Sequence, residues 1–150
     1  MEHLYEEAVM WYVTAGGQRF VCPQFLIHDE TWKKWNSCPD FVAIDFVTKT
    51  IYIIEVTVTS DVSDIVKKIC SNAAELIVRL KGNLKNKNVD FEDWEVKFRV
   101  FIRKAELEHF KRRLVSVDGL DIKPIDLEQI LVNWEWWDRA GGPVNSLDGI

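Results

Sequence analysis

No stretch of this chain approaches the roughly 20 consecutive apolar residues that a membrane-spanning helix requires, so no membrane partner is expected. The N-terminus, MEHLYEEAVMWY, is acidic and amphipathic and lacks the basic start and apolar centre of a secretion signal. The expectation is an intracellular protein, cytoplasmic or nuclear. Cysteine is scarce: Cys22, Cys38 and Cys70 are odd in number and show no CxxC spacing, which argues against a disulfide framework and against a cysteine-rich zinc site. They read as reduced, mostly buried thiols. Excess positive charge is missing too. A formal charge of −5 and a pI near 5.2 argue against a surface that grips nucleic acid everywhere, because Lys and Arg carry phosphate binding. Local basic patches are compatible with that total. HExxH spacing, a GxSxG elbow, a Walker A sequence and a GxGxxG loop are all absent, so zinc proteolysis, serine hydrolysis and nucleotide binding find no support.

What is present is a globular composition, 47% apolar and 29% charged over 150 residues, with no repeat and no low-complexity block. That length suits one domain, 1–150. Residues 2–12 set Leu4, Tyr5, Ala8, Trp11 and Tyr12 on one helical face, with Gly16 and Gly17 as a stop. RFVCPQFLI, 19–27, is strand-like, but Pro23 restricts it to an edge or broken strand. Residues 28–37 read as a loop or a short helical turn. FVAIDF, the turn VTKT and IYIIEVTVT then form a β-hairpin within 40–59, whose second strand is apolar on both faces until Glu55. Residues 60–82 carry Val62, Ile65, Val66, Ile69, Ala73, Leu76, Ile77 and Leu80 at helical spacing, with Ser60 and Asp61 as candidate caps and Gly82 as the end. A polar loop, the alternating strand WEVKFRVFIR, the short basic helix KAELEHFKRRL and a weak strand follow. The last helix spans about 127–139, with Leu127, Ile130, Leu131, Trp134 and Trp137 inward, and a frayed tail occupies 143–150. The order implies an α/β domain, a mixed central sheet flanked by helices, with its core in about 2–115 and an extra C-terminal helix.

The segment with chemistry in it is Cys38-Pro39-Asp40-Phe41-Val42-Ala43-Ile44-Asp45, followed by Glu55-Val56-Thr57. A carboxylate at the start of one hairpin strand and another inside the next can converge on one side of the sheet. Two hard oxygen ligands suit Mg²⁺ or Mn²⁺, with water and phosphate completing the shell. Here the chain resembles the PD-(D/E)xK, or restriction-endonuclease-like, nucleases over roughly residues 2–102, in motif and in the αβββαβ order of its elements. The resemblance implies a metal-dependent endonuclease in which Asp40 and Glu55 bind the metal with the Val56 carbonyl. It departs at Thr57, where the family's lysine should stand. Branches such as viral cap-snatching and non-LTR retrotransposon endonucleases move that lysine to the following helix, which offers Lys67 and Lys68. At about 100° per residue Lys68 lies nearer the apolar stripe, on the side of Asp61 and Asn72, whereas Lys67 turns toward solvent. Lys68 is therefore the catalytic candidate. The viral branch also carries an acid on its first helix, and Glu7, bordering the apolar face while Glu6 points away, is the third candidate ligand.

Thr57, Lys67, Asn72 and Arg112 are expected to face substrate. Lys104, Lys111 and Arg113, with Lys81, Lys85 and Lys87, are further cations that could meet phosphates, although most such side chains are simply solvated. Asp45 is expected to face solvent or a neighbouring turn, Asp61 to cap its helix, and His28, His3 and His109 to have ordinary roles. Seven tryptophans are many for this length; Trp32, Trp35, Trp94 and the 134–137 cluster suit base stacking or a partner surface, with core packing the default for half. The expected partner is nucleic acid, DNA or RNA. A homodimer or a parent polyprotein is equally compatible. The rival reading is a catalytically inactive nuclease-like module that binds nucleic acid or a protein, favoured by Thr57, the acidic pI and the tryptophan surplus.

Overall fold

The computed structural model describes residues 2–29, 31, 36–114, 119–132 and 145–148. In chain order these form α1 (Glu2–Thr14), β1 (Arg19–Pro23), β2 (Phe41–Asp45), β3 (Thr50–Val56), α2 (Ser63–Asn86), β4 (Glu95–Ile102), a 3₁₀ turn (Lys104–Glu106), α3 (Leu107–Arg113), β5 (Ile122–Asp126) and α4 (Leu127–Val132). The strands make one five-stranded sheet in the order β1-β2-β3-β4-β5. β1, β2 and β3 are antiparallel neighbours, and β3, β4 and β5 run parallel. The result is the mixed α/β sheet with flanking helices, in the αβββαβ order, that the sequence implied.

Two apolar layers enclose the sheet. Strand side chains alternate, so Val42, Ile51, Ile53, Phe98 and Val100 meet α2 and α3, while Phe41, Ala43, Tyr52, Ile54 and Phe101 meet α1, α4 and Leu147. Phe98, Phe101 and Phe110 are fully buried, worth about 1.5–3 kcal/mol each in transfer free energy. β3 is buried along its whole length, as its double-sided apolar pattern required.

Four expectations need correction. The inward face of α1 is Ala8, Val9 and Val13, with Leu4 and Trp11 exposed, because Val9 and Val13 are the side chains that meet the sheet. Helix α2 does not end at Gly82. It continues to Asn86, since Leu84 is buried in the core and Asn83 clamps the 28 region, its Oδ1 accepting from the His28 N–H at 3.0 Å and its Nδ2 donating to the His28 carbonyl at 3.1 Å. The tail at 145–148 is not frayed: Asn145 and Leu147 are buried, the Tyr12 hydroxyl donates to the Ser146 carbonyl at 2.8 Å, and Arg99 Nε donates to the Leu147 carbonyl. Cys22 and Cys38 are exposed rather than buried, one on the edge strand and one in the loop before β2; Cys70 is half-buried. The expected residues 133–139 of the last helix, with Trp134 and Trp137, lie outside the described residues, as do Trp32 and Trp35.

Candidate metal and phosphodiester site

Register alone brings the two acids of the motif together. The last β2–β3 pair is Phe41 with Ile54, and one further step sets Asp40 opposite Glu55. The Asp40 carbonyl accepts from Gln24 N–H at 3.0 Å on the β1 side, so Asp40 and Glu55 form a pair without mutual backbone bonds. Such pairs hold their side chains closest, at about 4.5 Å between Cα atoms. Both follow the parity of Val42 and Ile53, so both face α2. Val56 donates its N–H to Asp40 Oδ2 at 2.7 Å, whereas the next N–H, of Thr57, goes to the Phe101 carbonyl at 3.0 Å. A strand residue presents its N–H and C=O on one edge, so the Val56 carbonyl also turns toward the Asp40 side.

Helix α2 supplies the cation. Val66, Ile69 and Ala73 lie buried against the sheet, and Lys68, beside that stripe, donates from Nζ to Glu55 Oε1 at 2.8 Å. Lys68 is 43% exposed in its side chain and Glu55 only 10%, so the ammonium reaches inward from the rim. Burial pushes the Glu55 carboxyl above its ordinary value; Lys68 pulls against that, and the adjacent Asp40 adds to it. Each acid thus has one oxygen engaged by a donor, Asp40 by Val56 and Glu55 by Lys68, and one oxygen with capacity to spare.

The remaining candidates separate. Lys67 is exposed on α2 and makes no contact with the pair. Thr57 extends the β3 ladder by one residue, and its hydroxyl is shared with that of Thr59 at 2.9 Å. Asn72, half-buried one turn beyond Lys68, donates to the Lys68 carbonyl at 3.4 Å. Arg112 is exposed on α3. Glu7 is exposed on α1, and α1 packs on the sheet face opposite Glu55; Glu6, expected to point away, is the more covered of the two. Among the described residues no three His, Cys, Asp or Glu side chains converge, so Glu7 does not complete a cluster with Asp40 and Glu55. Asp61 Oδ1 accepts from Ser63 N–H at 2.9 Å at the start of α2. Lys81, Lys85 and Lys87 sit at the far end of α2, near the start of β4, away from the acidic pair. Trp94 packs on Phe91 with ring centroids 4.5 Å apart.

Sequence reasoning missed a second polar cluster at the other end of the hairpin. Asp45 is buried, accepts Arg19 Nε at 3.1 Å, Gln18 Nε2 at 2.9 Å, and the N–H groups of Val47 and Thr48 at 3.1 and 3.0 Å. Arg99, wholly buried, donates to Asp121 Oδ1 at 2.8 Å, and the Arg19 and Arg99 guanidinium groups lie 5.7 and 5.6 Å from the Tyr52 ring centre. The usable signal was Arg99 at an inward position of a strand otherwise rich in Val and Phe.

No protein-family model matches the chain, and no curated protein matches it. Among solved structures it is similar to the small subunit of the heterodimeric restriction endonuclease R.BspD6I, with a TM-score of 0.46 and 15% identity, over 93% of this chain and 78% of that one. Among the described residues no helix is long and apolar enough to cross a membrane.

Proposed function

We propose that this chain is a divalent-metal-dependent endonuclease that hydrolyses phosphodiester bonds of nucleic acid, of the displaced-lysine kind within the restriction-endonuclease-like nucleases. The observation that carries the reading is the triad of Asp40, Glu55 and Lys68, with Lys68 Nζ 2.8 Å from Glu55 on the α2 face of the sheet. The donor set fits Mg²⁺ or Mn²⁺: both acids keep an oxygen to spare, the Val56 carbonyl faces the same side, and these ions take one or two carboxylates with water and phosphate as the rest. Asp40, Glu55 and Val56 would hold the ion, which when bound supplies an acidified water and positive charge at the phosphoryl oxygens.

The chain's own residues do the rest. Val56 N–H fixes the Asp40 carboxylate, and the burial of Glu55 keeps bulk water from competing for it. The Lys68 ammonium orients Glu55 and places a positive charge at the rim, where negative charge develops on phosphorus. It supplies what Thr57 cannot. The test is cleavage of labelled single-stranded RNA, single-stranded DNA and duplex DNA with Mn²⁺, Mg²⁺ or EDTA, beside Glu55→Ala. Metal-dependent cutting that vanishes in the variant is the expected result; unchanged turnover in the variant would sink the mechanism.

The second reading, an inactive module that binds nucleic acid or a protein partner, draws on the Lys68–Glu55 pair being closed already and on the absence, among the described residues, of a third acid beside it. A rise in melting temperature with Mn²⁺ separates the two, because a ligand that binds only the folded state stabilises it. No rise favours the module.

A further inference from the structure

β3 and β4 run parallel, so their C-terminal ends, Glu55–Val56 and Val100–Phe101, open on one rim of the sheet. The chain leaving β4 passes directly through the 3₁₀ turn into α3. This brings Arg103, Lys104, Lys111, Arg112 and Arg113 to the rim that holds the acidic pair, with Glu106 and Glu108 on the same segment and Glu128 against Arg103 and the Lys104 N–H, in a chain whose total charge is −5. Leu107 and Phe110 are buried against the α2 layer and lock the helix in place, and Lys104, Arg112 and Arg113 are left exposed. Arg103 is paired with Glu128, and Lys111 stands 3.9 Å from Glu108.

Lys104, Arg112 and Arg113 differ from the interior cations. Arg19, Arg79 and Arg99 each have a carboxylate partner. Among the described residues the ammonium of Lys104 and the guanidinium groups of Arg112 and Arg113 have none; Arg112 Nε leans on the Glu108 carbonyl and Arg113 Nε on His109 Nε2, both at 3.3 Å, using one of five donors each. α3 also flanks the loop that follows Val56. The Asp61 carboxyl there is held below its ordinary value first by the Ser63 N–H and hydroxyl and further by the nearby charges of His109 and Arg113.

We infer that the exposed face of α3, with Lys104, Arg112 and Arg113, is a docking surface for the sugar-phosphate backbone of a nucleic acid, placed to lead the strand across the rim to the acidic pair. This deepens the nuclease reading and rests on it for the identity of the ligand. Charge complementarity is the argument. Unpaired, rigidly anchored cations release condensed counterions from a polyanion, and this acidic chain sets three of them on a segment that leads to the rim of its carboxylates.

The experiment is fluorescence anisotropy of the full chain in EDTA, with labelled 20-nucleotide single-stranded DNA, the matching RNA and duplex DNA, across about 50–200 mM salt. R112A/R113A is compared with K85A/K87A, an equal charge change at the far end of α2, and folding is checked by circular dichroism. Salt-dependent binding is expected, weakened at least about tenfold by R112A/R113A with a salt slope shallower by about 1–2, and unchanged in K85A/K87A. No binding, no effect of R112A/R113A, or equal loss in both variants overturns the inference. So does poly-glutamate binding as tightly as nucleic acid, which would point to an acidic protein partner. Because EDTA excludes turnover, intact α3-dependent binding without cleavage under metal counts against the endonuclease alone; cleavage with α3-independent binding counts against the surface alone.

Discussion

The two ends of the β2–β3 hairpin each hold an acidic side chain, and they are built in opposite ways. At the turn end Asp45 is saturated: Arg19, Gln18 and two backbone N–H groups use its lone pairs, and although burial works to raise its carboxyl, the Thr48, Gln18 and Arg19 bonds outweigh that and hold it below the ordinary range. At the rim end Asp40 and Glu55 receive one donor each, face one another, and burial leaves the Glu55 carboxyl above its ordinary value. A saturated carboxylate fastens a fold. An under-coordinated pair keeps lone pairs for the cation proposed above, and it is the kind of local conflict that functional sites carry.

The sharpest way to break this contrast is to remove each acid. Glu55→Ala is expected to take metal-dependent cleavage below detection while the fold survives, read by product formation and circular dichroism. Asp45→Ala should act oppositely, costing about 3–5 kcal/mol in urea unfolding because Arg19 is left buried without its counter-charge and the turn N–H groups lose their acceptor. Equal stability losses at the two ends would erase the distinction.

Acid titration sharpens it further. Asp45 is depressed in the folded state, so below its unfolded value the unfolded chain takes up the proton more readily; the stability it contributes is present above about pH 4 and drains away as pH falls through the folded value. Asp45→Asn should flatten the acid limb of the stability curve relative to the parent chain, and an unaltered limb would contradict the assignment. At neutral pH in EDTA, Glu55→Gln is expected to raise the melting temperature, because it removes a buried charge whose partner Lys68 can turn to water. A lowered melting temperature would mean the ion pair outweighs its desolvation. The smallest effect concerns neither end: Gly82 is helical and a Cβ added there meets nothing within 4 Å, so Gly82→Ala should stabilise by about 0.5–1 kcal/mol in the same urea assay.

Much of this arrangement was legible in the residues, for a local reason. Strand parity and helical angle are set by the peptide itself, so the hairpin, the positions of Asp40 and Glu55, and the choice of Lys68 over Lys67 all followed from counting along the chain. Glu7 failed where the count needed a partner. α1 has apolar residues spread over much of its circumference, and which of them faces the sheet depends on what the sheet offers. Val9 and Val13 won that contact, which left Glu7 exposed on a helix that packs on the face opposite Glu55.

The sequence by itself determined the periodic elements and the convergence of two acids at one end of the hairpin, since these rest on dihedral geometry and short-range spacing; that a lysine of the next helix joins them is what the family resemblance implied. Tertiary structure alone decided where α2 stops, that the 145–148 tail is tied down over Arg99, and that β4 delivers a basic helix to the rim of the acidic pair. Those outcomes depend on contacts between residues far apart in the chain, whose energies, Leu84 in the core and Leu147 over Arg99, outweigh the local preferences of Gly82 and of a polar terminus.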